Sequence, residues 1–202
     1  MLSLSSYDFI IFDLDGTLYD EALYLYAAYR SIAQKLAATY GLNTGDIEST
    51  LIRGFESEGR NGLFNKLCQA YDIPQSAIAG MLQQMRAFEI SDIALYDKMK
   101  DLIRELVTAG KKLFIITNGN PAQQANKIKA IDWQGLDDHI EVIFANTIAP
   151  KPDRAAFDHL VEKFGLVPSK TVFIGDTESD EEFARNAGID FVHAHGILSG
   201  KD

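Results

Sequence analysis

Apolar positions in this chain follow two different periods. Tyr7-Asp8-Phe9-Ile10-Ile11-Phe12 ends a short apolar run, and similar runs recur at Lys112-Leu113-Phe114-Ile115-Ile116, Ile140-Glu141-Val142-Ile143-Phe144, Thr171-Val172-Phe173-Ile174 and Asp190-Phe191-Val192-His193. Short runs rich in β-branched and aromatic residues read as buried strands. Helical segments alternate with them from about residue 96 onward, which predicts a parallel sheet with crossover helices and so an α/β fold. Residues 19–94 show helical spacing only. Ala22 to Tyr40 predicts one helix that stops at Gly41, a position suited to a left-handed cap. Thr44 is placed to cap a second helix, with Asp46 and Glu48 in its first turn and Gly59 at its end. Asn61 is placed to cap a short third helix, and Pro74 suits the first turn of a fourth that runs to about Ser91. A small helical bundle is therefore expected directly behind the first strand, hinged to the rest at residues 17–21 and 92–97.

Composition narrows the classes of partner. A chain of 202 residues holds a core domain and a modest insertion. Hydrophobic residues at 47% and charged ones at 24% are ordinary for a globular protein. No apolar run approaches the ~20 residues that span a bilayer, and the N-terminus lacks the basic start of a signal peptide. The formal net charge of -10 disfavours nucleic acid and anionic membranes, so a small ligand is expected. A single cysteine, Cys68, excludes an intramolecular disulfide and fits a reducing, cytoplasmic compartment; it reads as a packing residue.

The chemistry gathers at strand ends. The first apolar run ends in Asp13-Leu14-Asp15-Gly16-Thr17, two carboxylates on one side of a strand end, where open α/β sheets bind ligands. Without a cation they repel, so the pair asks for a divalent metal, a lysine, or both. The next core strand runs into Thr117-Asn118-Gly119-Asn120-Pro121. A hydroxyl and free backbone N–H groups at a helix start make a phosphate cradle there, although the same residues also form an ordinary capped turn. Lys151 lies between Pro150 and Pro152 on a stiff segment. Ile174-Gly175-Asp176-Thr177-Glu178-Ser179-Asp180 ends another strand with two further carboxylates.

In this order the four segments resemble motifs I to IV of the haloacid dehalogenase (HAD) superfamily: DxDGT, the Thr motif, K-P and GDxxxD. The resemblance covers essentially the whole chain. It implies subfamily I with a helical C1 cap: a Rossmann-like catalytic core over residues 1–18 and 95–202 and a cap over 19–94. It further implies a magnesium-dependent phosphatase of small phosphorylated metabolites, working through an aspartyl-phosphate. Asp13 would be the nucleophile and Asp15 the general acid and base. Thr117, the Asn118 amide and Lys151 would bind the phosphate. Magnesium would be held by Asp13, the backbone carbonyl of Asp15 and Asp176, with Asp180 holding a bound water or Lys151. A phosphomutase shares every one of these residues and differs in its cap, and a regulatory module would keep the fold without the catalysis. In the cap, Arg53 and Arg60 are candidates for substrate contacts, and also read as a solvated helical surface. Tyr19 is a candidate for the entrance to the site, while Tyr24 and Tyr26 read as cap core. His193 and His195 alternate on the last strand but lack a third ligand.

Overall fold

A computed structural model describes residues 4–200. Five strands, β1 (Phe9–Phe12), β2 (Lys112–Thr117), β3 (Ile140–Phe144), β4 (Thr171–Gly175) and β5 (Asp190–His193), form one sheet in the order β3-β2-β1-β4-β5. All pairings are parallel; Phe12, for example, lies opposite Ile115 on one side and Ile174 on the other. Strand β1 is central, which is why its run is apolar on both faces: Ile10, Ile11 and Phe12 are fully buried. The order reverses direction beside β1, so the carboxyl ends of β1 and β4 frame the topological switch point where such sheets take ligands.

Helices α5 (Asp97–Thr108), α7 (Ala155–Phe164), α8 (Glu178–Ala187) and α9 (Ala194–Ser199) accompany the sheet. Helix α5 buries the stripe Met99, Ile103 and Leu106 and packs on β2. Elsewhere Ile11, Phe114, Ile116 and Phe173 pack with Phe157, Leu160 and Phe183, the rings of Phe173 and Phe183 lying 5.2 Å apart. Each such side chain contributes about 1.5–3 kcal/mol on burial.

The chain divides into two compact units. The first contains residues up to Glu21, Asp92–Gln124 and those from Ile131. The second contains Ala22–Ser91 and Ala125–Ala130. The boundary falls inside helix α6 (Pro121–Ala130), whose first turn belongs to the sheet unit and whose end belongs to the helical one.

The second unit is built from α1 (Glu21–Tyr40), α2 (Thr44–Glu58), α3 (Leu63–Ala70) and α4 (Ala77–Ala87). Helix α1 buries Tyr24, Leu25, Ala28, Tyr29, Ile32, Ala33, Leu36 and Ala37, a stripe at helical period. A Cβ on Gly54 would lie 2.5 Å from Leu63 Cδ1, so the glycine lets α2 and α3 approach closely.

Three helix starts differ from the sequence expectation. Asn43, not Thr44, caps α2, its side chain accepting the Asp46 N–H; Asn precedes Thr in capping strength. Gly62 in left-handed conformation (φ 70°), not Asn61, precedes α3. Residues Pro74 to Ser76 form a turn ahead of α4, with Ala77 N–H donating to Pro74 O, and α4 ends at Ala87, where Phe88 turns extended. No helix among the described residues is long and apolar enough to cross a membrane.

Candidate active site

Strand β1 delivers Asp13 to its carboxyl end, where the backbone N–H of Asp13 still donates to Ile174 O of β4 at 2.9 Å. The chain then tightens: Leu18 N–H donates to Leu14 O and Gly16 N–H to Tyr19 O. Gly16 adopts φ +73°, and a Cβ there would lie 2.4 Å from Asp176 Oδ2. The glycine thus serves both the turn and the close approach of a carboxylate from β4. Thr17, fully buried, holds that carboxylate by donating its hydroxyl to Asp176 Oδ1 at 2.9 Å.

Asp13, Asp176 and Asp180 each offer an oxygen within 4.8 Å of the others. Lys151 Nζ lies 2.6 Å from Asp13 Oδ1 and 2.6 Å from Asp180 Oδ1, all three side chains buried, and sits 5.1 Å from the centre of the Phe173 ring. Asp180 has a second duty. Its Oδ2 accepts from Thr177 Oγ1 at 2.7 Å and Thr177 N–H at 3.0 Å, closing the capping box of α8. Asp180 thus has one oxygen on the lysine and the other on the cap.

Burial pushes the Asp13 carboxyl above the usual range; Lys151 opposes this, while Asp180 and Asp15 add to it. Burial likewise raises Asp176. For Lys151, burial works against the ammonium, yet Asp13 and Asp180 outweigh it and push its pKa up. One ammonium is shared by two carboxylates, with the Asp176 carboxylate beside them, so acidic groups outnumber the cation in this cluster. The clustered carboxylate oxygens of Asp13, Asp176 and Asp180 are hard donors, the kind that suits a small divalent cation such as magnesium.

The Asp15 carboxylate lies outside this cluster and has a different environment. Its Oδ1 accepts the Tyr19 hydroxyl, and its Oδ2 accepts from Gln124 Nε2 at 2.8 Å. Gln124 Nε2 also donates to Thr117 Oγ1 at 2.6 Å. Thr117, at the end of β2, is 1% exposed. Tyr19 is fully buried as a partner of Asp15, which corrects its expected place at an entrance.

Asn118 is not simply a phosphate donor. Its Oδ1 accepts the Lys151 N–H at 2.8 Å and its Nδ2 donates to Lys151 O at 2.9 Å, a two-point brace that fixes the segment carrying the lysine. The side-chain amide being so used, the backbone N–H of Asn118 is the group left for an anion. Asn146 Oδ1 accepts the Gly119 N–H at 2.7 Å and steadies the same loop.

Arg53 and Arg60 are exposed in the helical unit. Tyr24 is buried there, its hydroxyl donating to Met85 O and Phe88 O, whereas Tyr26 is half-buried and bonds Glu56. His193 Nδ1 accepts the His195 N–H, a local cap at the start of α9; neither histidine joins an acidic or metal-ligating group among the described residues.

Sequence reasoning missed Gln124, Thr17 and the bracing role of Asn118. Gln124 sits in the first turn of α6, where glutamine is an unremarkable helix residue. Its contact with Asp15 spans 109 positions and gives no local signal.

The sequence model of the haloacid dehalogenase-like hydrolases matches residues 10–194. Among curated proteins, the chain is 28% identical over 200 residues to a phosphoglycolate phosphatase of Nitrosospira multiformis, covering 96% of this chain and 86% of that protein. It is 25% identical to a phosphorylated carbohydrates phosphatase of Thermotoga maritima, covering 95% and 88%. Among solved structures it is similar to the magnesium-bound HAD-hydrolase YfnB of Bacillus subtilis, with a TM-score of 0.62, 22% identity and coverage of 92% of this chain and 87% of that one.

Proposed function

Since this chain belongs to the haloacid dehalogenase-like hydrolases, we propose that it is a magnesium-dependent phosphatase that hydrolyses small phosphorylated metabolites through an aspartyl-phosphate. The observation that carries the reading is the split between two carboxylates of one strand end. Asp13 is buried against Lys151 and the acidic cluster, whereas Asp15 is half-buried and hydrogen-bonded beside Thr117. Different environments for paired carboxylates assign different roles. The names of the curated relatives, phosphatases of phosphoglycolate and of phosphorylated carbohydrates, support the substrate class.

In the first step a carboxylate oxygen of Asp13 attacks phosphorus, and the bond from phosphorus to the leaving oxygen breaks. Asp15 gives its proton to that oxygen, and the alcohol departs. In the second step Asp15 takes a proton from water, whose oxygen attacks the phosphorus of the aspartyl-phosphate. Inorganic phosphate leaves and the Asp13 carboxylate returns. Lys151, Thr117 and the Asn118 backbone N–H neutralise and orient the non-bridging oxygens throughout. Asp13, the Asp15 carbonyl and Asp176 would hold magnesium, which would supply positive charge for the equatorial oxygens in the transition state. The helical unit acts as the cap that sets substrate identity, and a reducing cytoplasmic location fits the buried Cys68.

Phosphate release from a panel of phosphorylated metabolites tests the reading. Release is expected to require magnesium, to need no bisphosphate activator and to collapse in Asp13→Asn, because the amide is a poor nucleophile. Substantial activity of Asp13→Asn, or undiminished activity in excess chelator, contradicts it; dependence on a bisphosphate favours a mutase.

A further inference from the structure

Gln124 is a polar side chain 2% exposed, and its Nε2 has two acceptors, Asp15 Oδ2 and Thr117 Oγ1. A carboxylate only accepts, so the amide nitrogen and not its oxygen must face Asp15. Both amide protons are thereby used, one on each partner. A Cβ on Gly119 would lie 3.3 Å from Gln124 Cδ, so the loop backbone lies directly against the amide and limits its swing. On the other side of Asp15 the buried Tyr19 hydroxyl donates to Oδ1.

We infer that Gln124 and Tyr19 are positioning residues that grip the acid–base carboxylate Asp15 by both oxygens, and that Gln124 ties its orientation to the Thr117 hydroxyl. The inference rests on the phosphatase reading above. Gripped at both oxygens, the carboxyl plane cannot rotate freely, which holds the acid–base group in one orientation. Thr117 is oriented by the same amide. Because its oxygen accepts from Gln124, its own hydrogen must point away, at present toward Asn118 O at a long 3.3 Å. That hydrogen is the one a phosphoryl oxygen would receive. A single amide nitrogen thus sets both the group that protonates the leaving oxygen and the hydroxyl that holds the phosphate.

The test compares two esters in the full-length, magnesium-loaded enzyme. One is p-nitrophenyl phosphate, whose leaving group needs little protonation; the other is the alkyl phosphate that the native enzyme turns over fastest in a metabolite panel. Gln124→Met is expected to lower kcat on the alkyl ester about 10-fold more than on the aryl ester, the sign that Asp15→Asn gives. In the Asp15→Asn background the same change is expected to add little, since the carboxylate it serves is gone. Parallel losses on both esters, or full additivity with Asp15→Asn, overturn the inference while the phosphatase reading stands. If Asp15→Asn itself slows both esters alike, or the native enzyme releases no phosphate, the reading fails and takes the inference with it. Should Gln124→Met not fold by circular dichroism, Tyr19→Phe, which removes one hydroxyl and keeps the packed ring, is read on the same ratio and decides between the same outcomes.

Discussion

At the scale of residues, the site depends on how closely a backbone can approach a carboxylate. Gly16 combines a positive φ with a would-be Cβ 2.4 Å from Asp176 Oδ2, and Asp176 is tethered through its other oxygen to Thr17. The two consequences of Gly16→Ala differ in size. The left-handed backbone costs about 1–2 kcal/mol for a residue with a Cβ, a loss the fold tolerates. Displacing Asp176 by the better part of an ångström costs the proposed chemistry about 100-fold. Gly16→Ala is therefore expected to unfold at a modestly lower temperature while its magnesium-dependent phosphatase rate falls far more. Calorimetry and initial rates on the same preparation check this, and equal retention of rate and stability would show that the Asp176 position is not critical. The grip on Lys151 follows the same logic, as Asn118 and Asp180 hold its backbone and its ammonium separately.

At the scale of elements, strand ends and the first residues behind them carry the groups to which the proposed chemistry is assigned: Asp13 after β1, Thr117 at the end of β2, Asp176 after β4. These were legible in the sequence because a strand buried on both faces is apolar throughout, so its polar terminus stands out; Ile10, Ile11 and Phe12 before Asp13 are the clearest case. Helix starts were less legible. Asn43 and Thr44 are both competent caps, and the choice between Asn61 and Gly62 turned on a left-handed φ that composition does not reveal. Gln124 was invisible for a different reason, since its role exists only once α6 is docked beside Asp15. The helices of the second unit carry the proposed specificity. Arg60→Ala is expected to lower kcat/KM for the preferred metabolite about 10-fold, the loss of one charged hydrogen bond, and to leave acetyl phosphate hydrolysis nearly unchanged. Parallel losses on the two substrates would remove Arg60 from substrate recognition.

At the scale of the whole molecule, an acidic chain with a net charge of -10 gathers the carboxylates of Asp13, Asp176 and Asp180 in one cluster, where Lys151 pairs with Asp13 and Asp180. Carboxylates so gathered repel one another, and the cluster lies where a parallel sheet of order β3-β2-β1-β4-β5 takes its ligands. Membership of the haloacid dehalogenase-like hydrolases over residues 10–194 and the two-unit division of the chain fit the same account. Its central claim is that the phosphoryl group passes through a covalent bond to Asp13. The direct measurement is to quench the enzyme in acid during turnover with magnesium and map the phosphorylated peptide by mass spectrometry, using Asp15→Asn to slow the hydrolytic step. The account predicts one added phosphoryl group on the peptide containing Asp13, formed and lost at rates consistent with turnover and absent from Asp13→Asn. Turnover without a phosphorylated peptide, or a phosphoryl group on any other residue, would contradict it.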